Sequence, residues 1–270
     1  MSQTDQAQTF RALHQPGNPI VLPNVGDAAM AALVERAGFP VVATSSAGVA
    51  WAKGVPDGEV IGRHGMLKRV REIANAVTVP VTADMETGYG EAPEIVAETV
   101  NLTWGVGAIG LNLEDGVGHV RVIDRELGIE RIAAARAASS DMVINARTDV
   151  YFAKEIEPED KLAEAIKRGN AYLEAGADCA FIIAVNDPDA IQTIINEIDG
   201  PVNIIGGPGA IDINALTEMG VSRISLGGGL SRVMFACVDR CLAEIKDQGT
   251  LAFLEGSIPH PELNGLMSRD

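Results

Sequence analysis

Short runs of β-branched and small apolar residues alternate with amphipathic helical stretches along the whole chain. That alternation constrains the fold more than any other feature. Strand-like runs fall at 19–24, 41–45, 79–86, 108–114, 142–147, 179–184, 202–205 and 223–226. Helical patterns lie between them near 27–37, 60–76, 92–103, 127–139, 160–175, 187–197 and 212–219, and an eighth follows near 231–246. Strand–helix–strand repeats build parallel pairs through right-handed crossovers. Eight units in 270 residues predict a closed (β/α)8 TIM barrel of the α/β class, a fold that typically needs about 250 residues. No linker divides the chain, so residues 1–270 are expected to form one domain. The first dozen residues and the tail from Gly256 read as irregular, the tail because Pro and Gly punctuate it.

The side-chain alternation adds a direction. In 108–114, Ala108, Gly110, Asn112 and Glu114 share one face, while Ile109, Leu111 and Leu113 share the other. The bulky face is expected to meet the helices and the small or polar face to fill the barrel. In 142–147 the same rule sends Met142, Ile144 and Ala146 outward and Val143, Asn145 and Arg147 inward. Polar groups thus gather at the C-terminal strand ends, where barrel enzymes keep their sites.

Composition excludes some partners. The net charge of -16 disfavours nucleic acid and anionic membranes, which attract basic surfaces. No apolar run approaches the ~18 residues of a membrane span, and MSQTDQAQTF has no signal-peptide core. The three cysteines, Cys179, Cys237 and Cys241, form no CxxC pair. A reduced, cytoplasmic setting is therefore expected.

Chemistry-bearing residues cluster after the strands. Asp84 and Glu86, two apart in VTADMETGYG, are expected on one face. Such a carboxylate pair suits Mg²⁺ or Mn²⁺, and Mg²⁺ needs only one or two carboxylates beside its waters. Glu114, in GLNLEDG, could complete the site. The plainer alternative is carboxylates bonded to backbone amides at the rim. Arg147, in NARTD, could clamp a substrate carboxylate two-pronged, or pair with Glu114 or Asp149. The small loop with Ser45, Ser46, Ala47 and Gly48 exposes N–H groups that could hold an oxyanion, and Asp57 lies just beyond. Asn203 is expected inward, as a substrate hydrogen-bonding group. Gly206, Gly207 and Gly209, with Gly227, Gly228 and Gly229, leave open a phosphate cup at the last two strands or simple tight turning.

The ordered set ATSSAG, GVPDG, ADMETGYG, LNLEDG and NARTD resembles the successive motifs of the isocitrate lyase/phosphoenolpyruvate mutase superfamily, over roughly residues 10–250. The resemblance implies an oxyanion hole at Ser45, Ser46 and Ala47, and a catalytic Asp57. It implies Mg²⁺ held by Asp84, Glu86 and Glu114, some through water, and a carboxylate-gripping Arg147. It also implies a homotetramer, or a dimer, in which the region about 231–270 contacts or swaps with a neighbour.

The implied chemistry makes or breaks a C–C or C–P bond of a small α-keto acid or related carboxylate through a pyruvate-enolate-like intermediate. One departure matters. Lyases of this superfamily carry a KKCGH-like loop whose Cys is the acid, whereas this chain reads EDGVGHVRVIDRE with no Cys. Gly118 and His119 echo the end of that loop, and His119 could act as general acid or be a surface-loop histidine. The mutase's loop Lys and Asn are missing, as is the lyase Glu after the sixth strand, where FIIAVND stands. The remaining readings are a decarboxylase or hydrolase of an oxaloacetate-type acid, a phosphate-ester barrel enzyme, and a non-catalytic α-keto acid-binding barrel.

Overall fold

The computed structural model describes residues 1–268. The strands are β1 (Ile20–Leu22), β2 (Asn24–Val25), β3 (Val42–Thr44), β4 (Val81–Asp84), β5 (Gly110–Glu114), β6 (Gly116–Val117), β7 (Arg121–Val122), β8 (Val143–Thr148), β9 (Cys179–Ile182), β10 (Val202–Ile205) and β11 (Arg223–Ser225). Nine form one sheet in the order β1-β11-β10-β9-β8-β5-β4-β3-β2, paired in parallel throughout. Strands β1 and β2 are halves of one segment, split at Pro23, which has no N–H to give to a ladder. The first half pairs with the last strand and the second half with β3, so the sheet curls round into the predicted (β/α)8 TIM barrel. All eight expected strand segments are present.

The eight expected helices also form, from Ala28–Arg36 to Gly229–Gln248. Aspartate caps start several. Asp27 accepts from Met30 N at 2.8 Å, and Asp187 does the same for Ala190 N ahead of Pro188. A short side chain that accepts from the first turn is worth about 1 kcal/mol per helix.

Three expectations need correction. The first dozen residues are not irregular: Gln3–Ala12 is a helix opened by a reciprocal capping box between Ser2 and Asp5. Its Ala7 and Phe10 are fully buried in a cluster with Leu22, Ala43 and Val143, which plugs the bottom of the barrel. The tail from Gly256 is not all irregular either: beyond the 3-10 turn Ala252–Leu254, which precedes it, lies the helix His260–Met267. Arg36 Nη1 meets Glu262 Oε1 at 2.9 Å across the second of these. The last two residues of the expected irregular tail lie outside the described residues.

The third correction concerns alternation. Leu111 and Leu113 pack with Val96, Val100, Ile132 and Ala135 on the helix side, as expected. Ile109, however, joins the inner cluster around Phe10, and Ala108 joins the helix side. The ladder begins only at Gly110, so the two-residue period does not reach back to 109. Gly110 itself must be a glycine, because a Cβ there would stand 2.9 Å from both the Phe10 ring and Thr82 Oγ1.

No described helix is long and apolar enough to cross a membrane.

Candidate active site

Strand β4 ends at Asp84, so Glu86 does not share its face by strand parity. Glu86 lies in a turn, in left-handed backbone at φ 51°. Its side chain is fixed there by Glu59 N donating to Oε2 at 2.6 Å and Tyr89 Oη donating to Oε1 at 3.1 Å. The two carboxylates still face one space. Burial, then the negative charges of Asp84 and Asp57, push the Glu86 carboxyl up to about 7. Asp57 is raised in the same way, by burial and by Asp84.

Asp84 Oδ2 accepts from Ser46 N at 3.1 Å, while Oδ1 is buried with no partner. Asp57 Oδ1 is also buried without a partner. Unpaired carboxylate oxygens are costly in a protein interior, and a hard cation would satisfy them. Among the described residues, no three His, Cys, Asp or Glu side chains are grouped closely enough to ligate one ion. Glu114 is turned to Arg147, whose Nη1 lies 2.5 Å from Oε2. The donor set therefore fits a cation held directly by few carboxylates and otherwise by water, as Mg²⁺ prefers.

The Ser45–Gly48 segment is a helix N-terminus rather than a loop. Ser45 caps the helix Ser46–Ala52, with Oγ accepting from Gly48 N at 3.1 Å. Ser45 N donates to Val25 O and Ser46 N to Asp84. Among the described residues, the Ala47 N–H is left as the donor without a partner in this stretch. A free N–H at the positive end of a helix is a ready anion contact.

Arg147 lies at the strand end, buried. Its Nε and Nη2 grip Asp149 at 2.6 and 2.8 Å, and Nη1 holds Glu114. The expected two-pronged fork thus exists, and here it closes on Asp149. His119 Nδ1 stands 3.2 Å from Asp149 Oδ2 and 3.4 Å from Arg147 Nη2. A cavity of about 660 Å³ at this mouth is lined by Asp57, Glu86, Glu114, His119, Arg121 and Arg131, among others. Four of the five non-glycine residues in left-handed backbone among the described residues, Glu59, Glu86, Tyr89 and His119, line or border it. Such strain collects at functional sites.

Asn203 does not line this cavity. It points into the closed barrel, fully buried, where Oδ1 accepts from Ser225 Oγ at 3.3 Å and Nδ2 is unpartnered. At the glycine turns after the last two strands, part of the backbone N–H set is already spent within the protein. Leu226 N and Gly227 N both donate to Asn24 Oδ1, Gly206 N to Ser225 O and Gly229 N to Leu226 O. At Gly228 a Cβ would stand 2.9 Å from the Trp51 ring, which fits close helix approach.

Sequence reading missed a supporting layer. Glu59 Oε1 gathers Thr87 N, Thr87 Oγ1 and Tyr89 N at 3.2, 2.6 and 2.9 Å, and Arg131 Nη2 donates to Thr87 O. Asp115 collects Thr148 Oγ1, Asp149 N, Tyr172 Oη and Arg168 Nη1 within 3.0 Å. The local signals were EDG and RTD; the partners from the helix Lys161–Glu174 left none.

Residues 10–246 match the family model described as phosphoenolpyruvate phosphomutase. The 2-methylisocitrate lyase of Escherichia coli (strain K12) is 30% identical over 75% of this chain and 70% of its own. A solved structure from Burkholderia cenocepacia J2315, described only as a lyase/mutase, is 35% identical, with a TM-score of 0.91 over 99% of this chain and 97% of that one. Oxaloacetate acetylhydrolase in complex with the product oxalate is 25% identical, with a TM-score of 0.87 over 98% of this chain and 94% of that one. The chain belongs to the phosphoenolpyruvate phosphomutase family, and is an enzyme of the isocitrate lyase/phosphoenolpyruvate mutase superfamily.

Proposed function

We propose that the protein is a Mg²⁺- or Mn²⁺-dependent enzyme that makes or breaks a C–C or C–P bond of a small α-keto acid or related carboxylate through a pyruvate-enolate-like intermediate. The observation that carries this reading is the buried, unpartnered Asp84 Oδ1 beside Asp57 and Glu86, next to a helix N-terminus with a free donor. When bound, the cation supplies Lewis-acid stabilisation of a developing negative oxygen. Asp84 and Glu86 would hold it, with Glu114 close by. Ala47 N–H, backed by the Ser46–Ala52 helix, faces the oxyanion. Ser46 fixes Asp84 through its N–H, and Ser45 fixes the helix start. Arg147 orients the substrate carboxylate through Nη1, by exchanging its grip on Glu114.

Hydrolysis or decarboxylation of an oxaloacetate-type acid is the second reading, and one observation favours it. No thiol reaches the mouth. Cys179 is fully buried on β9 with its thiol pushed up to about 12, and Cys237 and Cys241 lie on the helix Gly229–Gln248. Isocitrate and methylisocitrate are therefore expected to be poor substrates, while oxalate is expected to bind as an enolate mimic only with Mg²⁺. Calorimetric titration of oxalate with and without metal decides the mechanism, and metal-independent or absent binding removes it. Brisk glyoxylate release from isocitrate removes the substrate expectation.

The helix Gly229–Gln248 supports a homotetramer, or a dimer. Of the twenty residues of Gly229–Gln248 only Ser231 is buried. Val233, Phe235, Val238, Leu242 and Ile245 are 43–64% exposed along it. A stripe of that kind needs a cover, and a second copy of the chain offers an identical stripe. Leu242→Glu is expected to lower the mass measured by light scattering to that of a smaller species. An unchanged mass, or a wild-type monomer, counts against the assembly.

A further inference from the structure

The superfamily reading leaves the proton donor open, and the geometry around His119 assigns it. His119 sits at the tip of the hairpin formed by β6 and β7, in left-handed backbone at φ 54° after Gly118 at 59°. The hairpin is held at its tip from the segment after β8 and closed at its base. Lys154 N donates to Val120 O at 2.9 Å, and Ile123 N donates to Asp115 O at 2.9 Å. The imidazole packs edge-on against Phe152, with ring centroids 5.5 Å apart. Its Nδ1 lies 3.2 Å from Asp149 Oδ2, and the ring lines the cavity that Asp57, Glu86 and Glu114 share.

Asp149 is built to hold still. Its side chain is fully buried, Arg147 grips both of its oxygens, and its N–H donates to Asp115 Oδ1 at 2.8 Å. Asp115 is in turn anchored by Thr148, Tyr172 and Arg168. The neighbouring hairpin makes room for it, since a Cβ at Gly116 would collide with the Asp149 carboxylate. A carboxylate fixed in this way takes the Nδ1–H hydrogen bond and sets the tautomer, so that Nε2 is the nitrogen left for chemistry.

We propose that Asp149 is the positioning residue for His119, and that His119 Nε2–H supplies the proton for which this chain has no thiol. The proposal rests on the enolate reading above and names the acid of that same site. In the protonation step the electron pair left on the departing carbanion forms a new C–H bond. The Nε2–H bond breaks, the imidazolium becomes neutral, and it regains a proton from solvent. The charged groups facing the ring are Arg147 on β8, Asp149 just after it, and Asp57 from the loop after Ser46–Ala52. The hydrogen bond to Asp149 holds the imidazole above its ordinary value, against burial and Arg147.

The test reads the ring directly in the full-length, metal-free enzyme by NMR. The His119 signal is identified by its loss in His119→Gln. It is expected to titrate above the ordinary value of about 6.5 and to shift downward in Asp149→Asn. Gly116→Ala, which displaces the carboxylate without removing it, is expected to shift it the same way and stands in if Asp149→Asn does not fold. An unmoved titration in both variants overturns the pairing. On a keto-acid substrate, His119→Gln is expected to lose kcat by about 100-fold or more with KM little changed, and Asp149→Glu to retain more activity than Asp149→Asn. Full turnover in His119→Gln overturns the proton-donor role even if the titration shift is found. Should the wild type itself turn over no keto acid, the enolate reading fails, and the NMR titration still decides the pair.

Discussion

Replacing Asp84 by alanine is expected to lower turnover by about a thousand-fold, since metal-centred charge stabilisation is worth several kcal/mol and each 1.36 kcal/mol is tenfold in rate. The fold is expected to survive. Asp84 Oδ1 has no protein partner, and its carboxylate adds to the repulsion on Glu86 and Asp57. Removing it relieves that repulsion in the metal-free protein and costs the Ser46 N–H one acceptor. The metal-free variant should therefore melt close to wild type. The wild type should rise in Tm with Mg²⁺, because a ligand that binds only the folded state stabilises it by mass action. The variant should lose that rise. Calorimetry with and without Mg²⁺ checks this without a known substrate. A variant that keeps both the rise and full activity in chelator sinks the metal assignment.

The parts of this molecule that were legible in the sequence are those that depend on local pattern. Strands such as 202–205 are short β-branched runs between helices, and they formed where expected. The helix Gln3–Ala12 was not legible from periodicity, because QTDQAQTFRA carries few apolar residues. Its value is tertiary: Ala7 and Phe10 close the barrel floor. The one local clue was the Ser2/Asp5 capping box, read in hindsight from the spacing.

The site shows the same division. Asp84 and Glu86 were identified as a pair, but strand parity was the wrong reason. The ladder stops at Asp84, and a strained turn held by Glu59 and Tyr89 brings Glu86 back. The small residues 45–48 suggested an oxyanion loop. Their N–H groups are mostly spent on Val25, Asp84 and the Ser45 cap, which leaves the helix end to act through Ala47. Which donor remains free depends on partners far away in sequence, and no spacing rule reports that. Asp115 is the clearest case, since two of its four partners sit more than fifty residues on, at Arg168 and Tyr172.

Arg147→Lys is expected to be the most informative conservative change at the mouth. Lysine keeps the charge but not the planar fork. In the wild type that fork takes Asp149 through Nε and Nη2 and Glu114 through Nη1, all buried. One ammonium cannot satisfy both carboxylates with the same geometry. Lost charge-assisted hydrogen bonds cost about 1.5–3 kcal/mol, or roughly 2–4 °C of Tm for each kcal/mol in a chain of this size class. Glu114, already raised well above its ordinary value by burial and held down chiefly by Arg147, would rise further. Catalysis should suffer more than stability. Misplacing a substrate by about 1 Å can cost roughly 100-fold, so kcat/KM is expected to fall by about that factor or more, with KM raised. Steady-state kinetics on the accepted keto acid, beside a melting curve, separate the two effects. A lowered Tm with unchanged KM and kcat leaves Arg147 as a strut for Asp149 and Glu114, and removes it from substrate binding.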